Sequence, residues 1–148
     1  MLYNTVVRTR KAHHDLPVWL DEGYAEVFRI DHLGVPGNPM GRPDWRDPGP
    51  YQRLARGADR YALERVIRLA RNDFASEGQE LAHAHAYTLV RFLLEGESGR
   101  WREGFLDFLR GVRAGRAEAD DLELALGVTI AELESAWLAH VDAAVAGG

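Results

Sequence analysis

Five of the chain's six prolines, together with four glycines, are crowded into residues 34–50, GVPGNPMGRPDWRDPGP. Proline lacks an amide donor and collides with the preceding turn, so a helix cannot run through such a stretch. The segment reads as a long loop or lid between a short N-terminal part and a longer part from residue 51 onward. On both sides apolar residues recur every three or four positions, and almost nothing alternates with the period of two that a half-buried strand requires. An all-α fold follows.

The helices can be placed in order. Residues 2–10, LYNTVVRTR, are β-branched at Thr5, Val6 and Val7, which sets helix against strand, with helix preferred. Asp15 can cap the next helix, and Pro17 falls in its first turn, where a missing amide costs nothing. Val18, Leu20, Tyr24, Val27 and Phe28 then supply an apolar stripe. After the loop, YALERVIRLA sets Leu63, Val66, Ile67 and Ala70 on one face and predicts a helix of about three turns, which NDFASEG ends. QELAHAHAYTLVRFLLEG is apolar around so much of its circumference that it is expected at the centre of the bundle. GRWREGFLDFLRGVRAG repeats a core-facing stripe, and ADDLELALG is a short helix closed by Gly127. TIAELESAWLAHVDAAV opens with Thr129 three residues before Glu132, a capping-box pattern. The terminal AGG is expected to fray.

The 148 residues suit one domain with a real core, spanning 1–148 and made up of an N-terminal link (1–15), a helix (16–33), the loop (34–50) and a helical bundle (51–146). A formal charge of -5, with acids and bases interspersed, offers no basic stripe and argues against nucleic acid. With no cysteine, disulfides and thiolate metal sites are excluded, leaving His, Asp and Glu as ligands. No run approaches the roughly 20 apolar residues of a membrane span, and none has the form of a secretion signal, so the chain as written is expected to be soluble and cytoplasmic.

Candidate chemistry is concentrated in LPVWLDEGYAEVF, residues 16–28. Glu22 and Glu26 stand at i and i+4 on one helical face, and Gly23 lets another backbone or a ligand approach closely. Spacing alone also fits a solvated acidic edge. His83 and His85 lie two positions apart, about 200° around a helix, so one at most faces any pocket. His13 and His14 sit in a polar link, and His32 and His140 are expected at the surface. Ser76, Ser98 and Ser135 have no histidine at a suggestive spacing, and GVPGNPMG is too rich in proline to cradle phosphate. Trp45, between Arg42 and Arg46, reads as an anchor pinning the loop to the core.

The string LPVWLDEGYAEVF resembles the P-x-W-L-x-E-G-x-A motif of gluzincin metallopeptidases, in particular their peptidase MA-like domains. HAHAYTLVRFLL, FLDFLRGVRAG and LELALGVTIAELESAWLAHV resemble the helices that follow it, so the resemblance covers residues 16–141. It implies the C-terminal helical part of a gluzincin peptidase, with Glu22 as the third protein ligand of a zinc ion. It also implies His83 or Tyr87, one turn apart on the central helix, as the residue that steadies an oxyanion. The H-E-x-x-H helix that supplies two histidines and the general base in that family has no counterpart here. Laid upstream of WLDEG at the family's usual distance, its last histidine falls near Asn4, making residues 1–15 a remnant of that helix. The expectation is therefore a truncated or degenerate metallopeptidase-like domain, not catalytic as written, with zinc weak or absent. Two alternatives stand beside it: a zinc-dependent hydrolase completed by a segment outside this chain, and a helical interaction module. Peptides or proteins are the expected partners, with self-association through the N-terminal segment.

Overall fold

The computed structural model describes residues 16–33 and 49–147, and among them every regular element is helical. In chain order these are α1 (Val18–Leu33), α2 (Gly49–Arg56), α3 (Leu63–Ile67), a 3-10 turn (Arg71–Phe74), α4 (Gln79–Gly99), α5 (Arg102–Val112), α6 (Ala119–Leu126) and α7 (Ile130–Gly147). The all-α expectation holds. Residues 1–15, with His13, His14 and the β-branched segment, lie outside the described residues, as do 34–48 with Trp45.

α4 is the hub, as its apolar breadth implies, with α1, α2, α5 and α7 all packed against it. Along its length Ala82, Ala86, Leu89, Val90, Phe92 and Leu93 are all buried. Its seam with α1 is set by Gly23. A β-carbon there would lie 2.5 Å from the Ala86 carbonyl oxygen and 2.7 Å from Val90 Cγ2, so glycine is what lets the two helices meet. The close approach foreseen at Gly23 is thus made by a neighbouring backbone. Trp19, one turn earlier, is 1% exposed and stacks near Phe108 of α5, with ring centroids 6.2 Å apart.

α4 breaks near its end. Gly96 leaves the helical region, and Glu97 and Ser98 follow at φ 50° and 60°. Trp101 Nε1 donates to Glu97 Oε2 at 2.6 Å across this break, which turns the chain into α5. α6 closes at Gly127, whose φ of 74° suits glycine. Thr129 Oγ1 accepts the Glu132 amide at 3.1 Å, so the N-terminal cap foreseen for the last helix is present.

Three elements and one residue differ from their sequence expectations. α2 begins at Gly49, inside the stretch read as loop, because Gly49 and Pro50 stand at the very start of the helix, where proline is tolerated. α3 has five residues instead of about three turns. Its first amide, that of Leu63, is taken by Glu134 of α7, and beyond it Asp73 Oδ2 accepts the Ala70 amide at 2.8 Å and starts the 3-10 turn. α7 continues through Gly147, past the expected fraying point. His140, expected at the surface, is half-buried beside Phe92, with ring centroids 5.2 Å apart. Among the described residues no single helix is long and apolar enough to cross a membrane.

Candidate functional site

α1 carries its two acids into different surroundings. Glu22 lies at the edge of the α1–α4 seam, its side chain 25% exposed, and Arg71 Nη1 of the 3-10 turn reaches Oε1 at 3.1 Å. The same guanidinium binds Asp21 Oδ2 at 2.9 Å through Nη2, so one cation bridges two neighbouring carboxylates. Glu26, one turn on, is only 3% exposed. The Tyr51 hydroxyl of α2 donates to Oε2 at 2.9 Å and Arg29 Nη1 donates to Oε1 at 2.6 Å, so the buried charge has partners on both oxygens. Glu26 is thus a fastening for α2, and Glu22 is the accessible acid of the pair.

The α4 candidates sit close to these acids in the fold. His83 is half-buried and meets Phe74 edge-on, with ring centroids 5.1 Å apart. Its Nδ1 is enclosed without a hydrogen-bond partner, and so is Trp19 Nε1. Glu22 and His83 therefore lean on opposite ends of one 3-10 turn, through Arg71 and Phe74. Tyr87 is 2% exposed and its ring packs against Tyr51 at 5.3 Å. Burial pushes its phenol above the ordinary value, against the pull of the Arg91 guanidinium, whose Nε donates to the hydroxyl at 3.3 Å. Burial works against the charge on Arg91, yet hydrogen bonds to Asp31 and Tyr87 raise its affinity for the proton overall. Arg91 Nη2 lies 2.7 Å from Asp31 Oδ1 and Nη1 lies 3.1 Å from Glu95 Oε1.

Of the two nearby histidines, His85 is the one buried with both ring nitrogens engaged. Its Nε2 accepts the Tyr61 amide at 3.0 Å and its Nδ1 donates to the Leu81 carbonyl at 2.8 Å, which defines a neutral tautomer. Burial lowers its pKa from 6.5 to about 4, with the nearby Arg65 and Arg60 charges adding to the effect.

Sequence spacing placed Glu22 and Glu26 together but carried no sign of Arg71, 49 positions away, or of Tyr51, 25 positions away. Among the described residues no group of three or more histidines or acids is arranged to hold a metal ion. With Glu22 paired to a guanidinium, these residues do not by themselves fit zinc. Comparison with protein-family models, with curated proteins and with solved structures found no match.

Proposed function

We propose that this chain is a gluzincin-like metallopeptidase domain in its helical part, without catalytic activity from the described residues alone. One observation carries the reading. Within the W-L-x-E-G string, Trp19, Leu20 and Gly23 are consumed in packing, whereas Glu22 is left at the edge of the domain with a 58%-exposed arginine as its counter-ion. A carboxylate that the core does not need, on a helix the core holds rigidly, is what a ligand position requires. His83 and Tyr87 are the α4 residues that the resemblance assigns to the substrate side, and the Tyr87 phenol stays protonated as a hydrogen-bond donor.

Zinc titration by calorimetry, metal analysis of the purified protein and cleavage of quenched peptides test the proposal. The expected outcome is weak, substoichiometric zinc that Glu22→Gln abolishes, and no peptide turnover. Zinc binding unchanged in Glu22→Gln would remove Glu22 from the reading. The accessibility of Glu22 also favours a second reading, a zinc hydrolase whose remaining ligands arrive on another segment. Stoichiometric zinc together with peptide cleavage would select it.

A further inference from the structure

The connection from α2 to α3, residues 56–63, is attached to the rest of the fold through three acceptors, all of them titratable. The Tyr61 amide donates to His85 Nε2 of α4 at 3.0 Å. Two residues on, the Leu63 amide donates to Glu134 Oε2 of α7 at 2.7 Å. Arg60 Nη1 reaches Asp142 Oδ1 of α7 at 3.1 Å, and Arg56 Nε lies 3.9 Å from the same oxygen. Backbone bonds within the connection are confined to local turns, the Gly57 amide to the Leu54 carbonyl and the Arg60 amide to the Gly57 carbonyl.

The geometry points to an acid-released strap: protonation of His85 detaches residues 56–63 while the α1–α4 seam stays closed. The chemistry is a change of donor and acceptor roles. A protonated imidazole carries N–H on both nitrogens, so Nε2 would face the Tyr61 amide donor to donor.

Burial, and then the charges of Arg65 and Arg60, oppose a positive charge on His85. The Tyr61 ring lies flat against the imidazole at 4.2 Å and 7°, and the Arg65 guanidinium of α3 lies 3.8 Å over the same tyrosine ring. Arg60 of the strap adds repulsion, while Trp137 of α7 meets the imidazole edge-on at 6.1 Å. On α4 itself the Leu81 carbonyl holds Nδ1–H, a contact that favours a charged ring. Moving the strap relieves the clash, because it carries Tyr61 and Arg60 away from the ring.

Strap residues also wall two open surface cavities. One, of about 490 Å³, is lined by Gly57, Ala58 and Asp59 with Gly78 and Leu81 of the α4 entrance. The other, of about 410 Å³, is lined by Ala62 with Arg65, Arg68 and Asp73. Release of the strap reshapes both and uncovers Tyr61 and Leu63, which are buried in the closed state.

Hydrogen–deuterium exchange between pH 7 and pH 5, corrected for intrinsic rates, tests the strap. Moving His85 from a confined site at about 4 to its ordinary 6.5 raises the opening equilibrium roughly twentyfold between pH 7 and pH 5. Exchange at Tyr61 and Leu63 is expected to rise by that factor, while amides at the centre of α4 stay protected. His85→Gln, which can still accept from Tyr61 and donate to Leu81 but does not titrate, is expected to abolish the rise. Loss of protection in the strap and α4 together, or the same pH dependence in His85→Gln, would overturn the proposal. If that variant does not fold, the His85 ring resonance in the wild-type chain decides. Its titration must coincide with exposure of the Tyr61 amide, and titration with the amide still protected refutes the strap.

Discussion

Two attachments to α4 are built on opposite principles. α1 is joined by shape, glycine against carbonyl, with Gly23 leaving no room for even a methyl group. The strap before α3 is joined by polarity, its amides held by the acceptors of His85 and Glu134. A steric seam has no proton to gain or lose, so its strength is the same at pH 7 and pH 5. A polar attachment on titratable acceptors has a strength set by pH, and a domain that combines the two can open in one place while holding in another.

The sharpest way to break that contrast is to enlarge position 23. In Gly23→Val a branched side chain would have to displace a backbone carbonyl and Val90 together, so α1 can no longer lie on α4. The expected loss of stability is more than about 3 kcal/mol, read as a fall in the denaturation midpoint at every pH. A loss below about 1 kcal/mol would show that the seam is loose and the contrast unfounded.

The next effect belongs to the polar side. The folded chain holds His85 at about 4, whereas an unfolded histidine titrates near 6.5. Between those values the unfolded state binds a proton that the folded state refuses, so stability is fully present above about 6.5 and declines as pH falls toward 4. At pH 4 the loss from this group is about 3 kcal/mol relative to pH 7. Chemical denaturation across the range should show that slope in the wild type and its reduction in His85→Gln. A flat profile between pH 6.5 and 4 would contradict the buried, neutral imidazole.

The same contrast explains which parts of the molecule could be read from the residues in order. The core helices could, because Leu89, Val90, Phe92 and Leu93 or Phe105, Phe108, Leu109 and Val112 declare their burial by spacing within one element. The stops at Gly127 and Thr129 could as well, since their chemistry is local. The length of α3 could not. The Tyr61 amide just before it is claimed by His85 and its own first amide by Glu134, 24 and 71 positions distant from their donors, and only the folded chain brings them together. The candidate site divides in the same way. That Glu22 and Glu26 share a face follows from a turn of helix, but their different exposure depends on Arg71 and Tyr51, which arrive from two other elements. The ranking of His83 above His85 rested on resemblance, and periodicity gave no ground for seeing that His85 would lie under Tyr61.

The smallest effect concerns the exposed polar clasp of Arg71 at the edge of the steric seam. Arg71 binds Asp21 and Glu22, yet its side chain is 58% exposed, where solvent screens the pair and side-chain freedom is lost to hold it. If the seam is held by shape, Arg71→Ala should cost no more than about 0.5 kcal/mol, and its denaturation curve should nearly overlay that of the wild type. The substitution should still uncover two adjacent carboxylates that have lost their shared counter-ion, so zinc or another divalent cation should bind more tightly than to the wild type. A variant destabilised by 2 kcal/mol or more would mean that the clasp, and not the glycine, secures α1. The Glu22 carboxylate would then have a structural duty and would not be spare to serve as a ligand.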